Sequence, residues 1–254
     1  MAKIKRRFAG RIVFLLILLS IISAGAFYLW SDFYKPSFIH YPAFGIDIPA
    51  GYTIHGIDVS RHQDIISWPA VKKMKIENIK IDFAFIKATE GIGKVDIHFK
   101  RNWRNAQKEG IRKGAYHFFI ASKSGKAQAE NFIETVRLQK GDLPPVLDVE
   151  NTYGASKEDL QQRVADWLLM TEKKFRVRPV IYTNVDFYNL YLAGRFDDYP
   201  LWVAHYLVQD KPRIERSWIF WQHNESGHVD GIGARVDFNV FNGDSTAFQQ
   251  LLVK

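Results

Sequence analysis

The chain of 254 residues contains no cysteine, which excludes disulfide bonds, thiol catalysis and thiolate metal sites. Its histidines show neither the H-x-x-x-H nor the H-E-x-x-H spacing of a zinc-binding helix. There is also no G-x-S-x-G nucleophile elbow and no G-x-x-x-x-G-K-[ST] phosphate loop. Without disulfides the fold must rest on its own hydrophobic core, which a domain of about 200 residues can supply.

An excess of positive charge is present only at the N-terminus. The formal net charge is +8, yet residues 1–35 hold six cations and one acid, a net +5, which leaves 29 basic and 26 acidic residues in the other 219. That remainder shows no basic patch interleaved with aromatic residues and no signature of a nucleic-acid module. The sequence therefore predicts no nucleic-acid partner.

The N-terminal segment has the pattern of a membrane segment. Five cations precede Ile12–Trp30, a stretch of 19 residues without charge, and Tyr28 and Trp30 stand where an interfacial aromatic belt would lie. The positive charges predict a transmembrane helix with the rest of the chain outside the cytoplasm. The alternative is a signal peptide, because Ala24-Gly25-Ala26 resembles a cleavage site, and cleavage there would release a secreted or periplasmic protein.

Composition divides the chain into three parts. Residues 1–30 are the anchor or signal segment, and residues 31–53, which contain prolines and glycines without a sustained period, are predicted to be a linker. Residues 54–254 alternate apolar strand-like runs with amphipathic segments of helical length, which favours parallel strands joined by crossover helices. Strands are predicted near 54–59, 82–87, 114–119, 145–149, 178–183, 200–205, 217–222 and 235–240.

Eight such strands favour an α/β fold, an irregular (β/α)-barrel whose closing strands have few helices between them. The last three predicted strands are separated by connections that are too short for full helices. A doubly wound open sheet is the alternative.

Two carboxyl groups stand at the end of the fourth predicted strand. Asp148 and Glu150 point to the same side of an extended strand, with Cα atoms about 7 Å apart. Burial and like charge raise a carboxyl pKa, and a carboxylic acid that stays protonated near neutral pH is what cleavage of a glycosidic bond requires. A salt-bridged or helix-capping acidic pair is the alternative interpretation.

Polar and aromatic residues mark the end of every predicted strand, where (β/α)-barrels carry their active sites. Asp58 and Asp237 add two acids to Asp148 and Glu150, so these four are the candidate catalytic residues. Carboxylates beside aromatic rings favour a carbohydrate cleft, because sugars present CH faces and hydroxyl rims. The candidate substrate-binding residues are Tyr116, Tyr182, Trp202, Glu90, Lys87 and Trp221.

Each of these residues has a structural alternative. Trp202 and Trp221 are residues that more often belong to a hydrophobic core, Lys87 fits a counter-charge to the acids, and Glu90 fits a loop. His117, which lies between aromatic residues, fits a buried histidine. Clustered Asp and His residues also raise the possibility of a divalent metal. The strand-end histidines lie on different strands, however, so the sequence predicts neither a metal nor a cofactor.

Six segments, in this order, resemble glycoside hydrolase family 25, the Chalaropsis-type lysozymes or N-acetylmuramidases: 56–60, 85–91, 116–118, 148–150, 201–204 and 221–222. The resemblance covers about residues 54–245. It implies an irregular (β/α)-barrel that hydrolyses the β-1,4 bond between N-acetylmuramic acid and N-acetylglucosamine in peptidoglycan.

The resemblance also implies roles for the four acids. Glu150 matches the general acid/base, Asp148 matches the carboxylate that assists the acetamide group of the substrate, and Asp58 and Asp237 match the flanking acids of the cleft. The expected partners are peptidoglycan glycan strands and, through the N-terminal segment, a membrane, with the protein acting as a monomer. A non-hydrolytic glycan-binding module on the same fold is the alternative.

Overall fold

The computed structural model describes residues 16–26, 37–206, 208 and 210–254. It consists of two units, Met1–Ser37 and Phe38–Lys254. In the first unit, residues 16–26 are helical, and the remainder of the predicted anchor over Ile12–Trp30 lies outside the described residues. No helix among the described residues is long and apolar enough to cross a membrane.

The second unit contains the catalytic-domain candidate. Its strands are β1 (Phe38–Tyr41), β2 (Ile46–Pro49), β3 (His55–Val59), β4 (Lys75–Ile76), β5 (Ile79–Glu90), β6 (Lys94–Val95), β7 (Arg112–Phe118), β8 (Val146–Asp148), β9 (Val180–Asn184), β10 (Leu201–Ala204), β11 (Phe220–Gly227) and β12 (Val236–Phe241). Its helices are α1 (Trp68–Lys73), α2 (Phe99–Lys108), α3 (Gly125–Thr135), α4 (Lys157–Phe175), α5 (Val185–Phe187) and α6 (Ser245–Leu251). A 3-10 turn follows β3 at Arg61–Gln63, and a π-helical turn follows α5 at Tyr188–Leu192.

Eight of these strands close into a barrel. The order around it is β3, β5, β7, β8, β9, β10, β11 and β12, and β12 pairs with β3 to complete the ring. Each of the eight predicted strand ranges overlaps one of them, so the irregular barrel is confirmed and the open sheet is excluded. The short strands β4 and β6 both pair with β5 at the edge of the ring.

One strand departs from the expected parallel arrangement. Strands β3 to β11 of the ring run parallel, whereas β12 runs antiparallel to both of its neighbours. The connection from β11 to β12 comprises only residues 228–235, and a parallel crossover needs a dozen residues or more. Strand β12 therefore begins at the mouth of the barrel, where the parallel strands end.

Helices cover the outside of the earlier strands. The α4 helix begins with a side-chain cap, in which the Ser156 hydroxyl accepts a hydrogen bond from the backbone N–H of Asp159 at 3.1 Å. Trp167 of α4 stacks on His117 of β7, with ring centroids 5.7 Å apart. His117 is fully buried, and its Nδ1 lies 2.7 Å from the Thr89 hydroxyl oxygen. This agrees with the alternative of a buried, hydrogen-bonded histidine.

The β1–β2 hairpin packs against the outer face of the closing strands, which have few helices of their own. Phe44 is fully buried and its ring meets Phe238 of β12 edge-on at 5.4 Å, while Phe38 meets Trp221 of β11 at 5.9 Å. The backbone N–H of His228 donates to the Phe44 carbonyl at 2.8 Å. Residues 38–49, which composition assigned to a linker, thus form an outer layer of the same folded unit.

Aromatic side chains fill the barrel below its mouth. Phe83 and Phe85 of β5 pack on Phe220 of β11, each with ring centroids 5.1 Å apart, and Phe85 stacks on Trp202 of β10 at 4.4 Å. Gly56 leaves room for this packing, because a Cβ atom there would lie 2.4 Å from the Phe83 ring. The interior is therefore solid, and the cavity above it is confined to the mouth.

Candidate active site

A cavity of about 400 Å³ opens at the mouth of the barrel. All four candidate catalytic acids line it: Asp58 from β3, Asp148 and Glu150 from the end of β8, and Asp237 from the start of β12. The candidate binding residues that also line it are Lys87, Tyr116, Tyr182 and Trp202. The antiparallel direction of β12 is what brings Asp237 to this end of the barrel.

Two predicted binding residues do not line the cavity. Trp221 points to the outer side of β11, where it is fully buried under Phe38, and its indole Nε1 donates to the His205 carbonyl at 2.8 Å. Glu90 accepts hydrogen bonds from Lys87 at 2.8 Å and from Lys94 at 2.9 Å. Trp221 is therefore a core residue, and Glu90 holds the lysine that reaches the cavity.

Lys87 is the lysine among the residues that line the cavity, and it is held on two sides. Its ammonium group lies 4.4 Å from the centre of the Phe118 ring, in addition to its ion pair with Glu90. Partial burial alone would raise the pKa of Glu90, but the hydrogen bonds and charges of Lys87 and Lys94 lower it to about 2. Glu90 is thus ionised throughout the neutral range.

Asp148 and Glu150 form a pair with few hydrogen bonds, which we call the β8 pair. Asp148 is 7% exposed, and its Oδ1 is the only buried carboxyl oxygen among the described residues that has no hydrogen-bond partner. Burial and the charge of Glu150 raise the pKa of Asp148, while Lys87 opposes the shift. Burial and the charge of Asp58 raise the pKa of Glu150, which the nearby Tyr182 hydroxyl and the charge of Lys87 partly offset.

Asp58 and Asp237 form a second pair, the β3–β12 pair, with a different environment. They stand directly opposite each other across the antiparallel strands and hydrogen-bond to each other. The Asp58 Oδ2 also accepts hydrogen bonds from Gln222 Nε2 at 2.7 Å and from Asn239 Nδ2 at 2.8 Å. Burial raises the pKa of Asp58 to about 6 despite these bonds, and burial together with the Asp58 charge raises that of Asp237 to about 9.

The aromatic residues of the cavity wall are hydrogen-bonded to the two amides that contact this second pair. The Tyr182 hydroxyl donates to Gln222 Oε1 at 2.7 Å, and the Tyr206 hydroxyl donates to the same oxygen. The Trp202 indole Nε1 donates to Asn239 Oδ1 at 2.8 Å. Burial raises the pKa of Tyr182 well above its usual range, so the phenol remains a neutral hydrogen-bond donor.

Gln222, Asn239, Tyr206 and Glu225 belong to the site but were not among the predicted catalytic or substrate-binding residues. Tyr206 and Glu225 line the cavity with Gln222, and Asn239 lies behind them. One signal was available: Asn239 follows Asp237 by two residues, so both point to the same face of β12. Gln222 is the register partner of Asn239 on β11 and therefore lies on that face too.

The surroundings of the four acids consist of protein groups that bond to them or act on them through charge. Within the described ranges, no group of three or more His, Asp or Glu side chains is arranged so that it could hold a metal ion. Asp58 and Asp237 bond to each other and Asp58 to two side-chain amides, while the charge of Lys87 acts on Asp148 and Glu150. The arrangement supplies carboxyl groups with raised pKa values in a cleft with aromatic walls, which suits acid–base chemistry on a carbohydrate.

Comparison with known proteins identifies the family. Residues 57–232 match the model described as glycosyl hydrolases family 25. "Uncharacterized protein YegX" of Escherichia coli (strain K12) is 50% identical over 201 residues, which cover 79% of this chain and 74% of that protein. "Lysozyme M1" of Streptomyces globisporus is 35% identical over 207 residues, which cover 76% of this chain and 69% of that protein.

A solved structure extends the likeness to the fold. The family 25 glycosyl hydrolase from Bacillus anthracis matches with a TM-score of 0.73 and 35% identity, over 80% of this chain and 95% of that one. The sequence match, the identity to a lysozyme and the shared barrel agree with one another. The chain belongs to glycosyl hydrolases family 25 and is a glycoside hydrolase.

Proposed function

We propose that this protein is a muramidase that hydrolyses the β-1,4 bond between N-acetylmuramic acid and N-acetylglucosamine in peptidoglycan. Glu150 is the general acid/base, and Asp148 assists the acetamide group of the substrate. The observation that carries this proposal is the buried, unpaired Oδ1 of Asp148, two residues from Glu150 on the cavity wall. A buried acceptor without a partner costs stability, so its presence in the cleft is best explained by a donor on the substrate.

The acetamide N–H of N-acetylmuramic acid is such a donor. When it donates to Asp148, the acetamide oxygen is oriented to attack the anomeric carbon from the face opposite the glycosidic oxygen. The bond between the anomeric carbon and the glycosidic oxygen breaks, and Glu150 transfers its proton to the glycosidic oxygen as it leaves. The resulting cyclic oxazolinium cation is stabilised by the negative charge of Asp148.

The second half of the reaction returns Glu150 to its starting state. Glu150, now ionised, removes a proton from a water molecule that attacks the anomeric carbon, and the ring of the intermediate opens to restore the acetamide. The whole cycle needs a carboxyl group that is protonated before the first step and accessible to water in the second. Glu150 suits this role because it is only partly buried and its pKa is raised by burial and by Asp58.

A non-hydrolytic glycan-binding module remains the second candidate, since the aromatic residues Tyr182 and Trp202 would serve either function. The four acids favour the enzyme. Burial raises the pKa of each of them, so the loss of water around these carboxyl groups costs the fold stability. A binding module gains nothing from that arrangement.

Digestion of purified peptidoglycan separates the two candidates. We expect soluble fragments whose new reducing ends are N-acetylmuramic acid, and we expect none from the Glu150→Gln variant. Reducing ends of N-acetylglucosamine would assign a different bond specificity. Retention on peptidoglycan without any new reducing ends would establish the binding module instead.

We also propose that the N-terminal segment anchors the enzyme in a membrane, with the catalytic domain outside the cytoplasm, and that a single chain suffices for activity. The five cations before the apolar stretch support the orientation. Membrane fractionation and N-terminal sequencing test the anchor, and a soluble product that begins at Phe27 would replace it with a signal peptide.

A further inference from the structure

The β3–β12 pair holds a proton whose location the hydrogen-bond network decides. Asp58 and Asp237 are in direct hydrogen-bond contact across the strands. Two carboxylates this close cannot both be ionised without a large repulsion, so one of them carries a proton near neutral pH. The surroundings of the two carboxyl groups are unequal, and that inequality selects the carrier.

The orientation of Asn239 is fixed by Trp202. An indole N–H can only donate, and it lies 2.8 Å from Asn239 Oδ1, so the amide nitrogen of Asn239 must face Asp58 Oδ2, at 2.8 Å. Gln222 repeats the arrangement, with Oε1 accepting from Tyr182 and Nε2 donating to the same oxygen of Asp58. Asp58 Oδ2 thus receives two N–H donors and has no room for a proton of its own.

Asp237 has no comparable support. Among the described residues no N–H group donates to its carboxyl, which hydrogen-bonds only to Asp58. Two N–H donors stabilise the charged form of one carboxyl, while the other has none. We propose that Gln222 and Asn239 are positioning residues that keep Asp58 ionised and leave the shared proton on Asp237, which donates it to Asp58.

Other charged and titratable groups face this pair from every side of the mouth. The acids are Glu150 and Asp148 from the end of β8 and Glu225 from β11, and they disfavour a second negative charge here. The cation is Lys87 from β5, which acts mainly on the β8 pair. The tyrosines are Tyr116, Tyr182 and Tyr206, whose hydroxyl groups are neutral.

An anion fixed at Asp58 has a consequence for Glu150. The Asp58 charge raises the pKa of Glu150, so it helps to keep the proposed general acid protonated. Gln222 and Asn239 would then act on the reaction through Asp58 and Glu150, without touching the substrate. The proton location is a property of the folded chain, whereas its effect on catalysis rests on the proposed function.

Carboxyl-carbon NMR of the full-length protein locates the proton directly. With aspartate labelled at Cγ, we expect Asp237 at the chemical shift of a carboxylic acid at pH 7 and Asp58 at that of a carboxylate. The opposite assignment, or two carboxylates, would overturn the proposal. This measurement needs no substrate, so it stands even if muramidase activity is absent.

Removing the N–H donors tests the positioning role. Gln222→Met and Asn239→Leu should raise the titration midpoint of Asp58 and lower that of Asp237, each by about one pH unit. The matched control is Gln128→Met, since Gln128 is also a fully buried amide but bonds to Ile120 and lies outside the cavity lining. Midpoints that stay at their wild-type values in both variants would refute the role of the amides.

A second variant covers the case in which the apolar substitutions prevent folding. Gln222→Glu keeps the volume and the acceptor for Tyr182 but directs a carboxyl oxygen at Asp58, so the cluster should hold one more proton at pH 7 than the wild-type cluster does. An unchanged proton count in the same NMR experiment would contradict the proposal.

The pH–rate profile then connects the pair to catalysis. Asp58→Asn removes the anion, so the pKa of Glu150 falls and the alkaline limb should move to lower pH by about one unit. Asp237→Asn retains a donor toward Asp58, so the alkaline limb should keep its position whatever the change in rate. If the alkaline limb moved in Asp237→Asn but not in Asp58→Asn, the anion would lie on Asp237, and the proposal would be refuted.

Discussion

The cleft contains two pairs of carboxyl groups that are held in different ways. The β8 pair, Asp148 and Glu150, comes from a single strand end, and one of its buried oxygens has no partner. The β3–β12 pair, Asp58 and Asp237, faces across two antiparallel strands and is bonded internally and to two amides. Both pairs lie in the same cavity, so burial alone does not account for the difference.

The contrast indicates that the two pairs have different roles in the reaction. A carboxyl group whose hydrogen bonds are satisfied within the protein has a fixed protonation state and acts through its charge. The unsatisfied oxygen of Asp148 is available to the substrate, and the change of protonation in the proposed reaction falls on Glu150 of the same pair. We therefore assign the chemistry to the β8 pair and the electrostatic support to the β3–β12 pair, and four predictions test this assignment.

The largest effect is expected from Glu150→Gln. The substitution removes the proton donor with little change in volume, so activity on peptidoglycan should fall by about 10²–10⁴-fold while folding and glycan binding are retained. Release of reducing ends measures the rate, and Glu172→Gln is the control, because Glu172 is also partly buried but lies outside the cavity lining. A variant that keeps more than about a tenth of the wild-type rate would remove Glu150 from its proposed role.

Asp148→Asn should lower activity by about 10²-fold, because the oxazolinium cation loses its counter-charge. The same change removes a negative charge beside Glu150. Since the active form needs Glu150 protonated, a lower pKa of Glu150 moves the alkaline limb of the pH–rate profile to lower pH. An alkaline limb at the wild-type position would show that the two carboxyl groups of the β8 pair are not coupled.

The same variant should make the protein more stable at neutral pH. The pKa of Asp148 is raised on folding, so the folded protein is most favoured below the unfolded pKa of about 4, and this advantage is lost as the pH rises through the folded value. Asp148→Asn removes the cost of the buried charge, a gain of about 1 kcal/mol or roughly 2–4 °C in melting temperature.

The pH dependence of that gain provides its control. Calorimetry should find little difference between Asp148→Asn and the wild type near pH 4 and a growing difference toward pH 8. Asp58→Asn should give a smaller gain, because Gln222 and Asn239 already stabilise the Asp58 charge. An equal gain from both variants would mean that the two pairs do not differ in the way proposed.

The smallest effect is expected from a chelator. Neither pair belongs to a group of side chains that could hold a metal ion within the described part of the chain. Activity should therefore be unchanged after treatment with EDTA. A loss that an added divalent ion restores would show that at least one of the pairs binds a metal.

Much of the fold could be predicted because the local signals were strong. The alternation of apolar runs and helical segments identified all eight barrel strands. The hairpin at 38–49 was not predicted, because a short hairpin buries its apolar side chains only against another element. Phe44 is buried because it packs against Phe238, almost 200 positions later in the chain.

The site was predicted less completely than the fold, and Trp221 illustrates why. Period-two alternation places Trp221 and Gln222 on opposite faces of β11 but does not say which face is inside. In a closing strand that is buried on both sides, both residues are equally enclosed. The cavity receives Gln222, while Trp221 packs under the hairpin.

The sequence by itself determined the chemistry of this protein: four acids and several aromatic residues stand at strand ends, and the positions of the strands follow from local patterns. Only the tertiary structure decided how those acids are grouped. The short connection into β12 reverses that strand, and the reversal brings Asp237 opposite Asp58 with Asn239 beside it. Such contacts between positions more than 170 residues apart depend on strand direction and register, which no local pattern encodes.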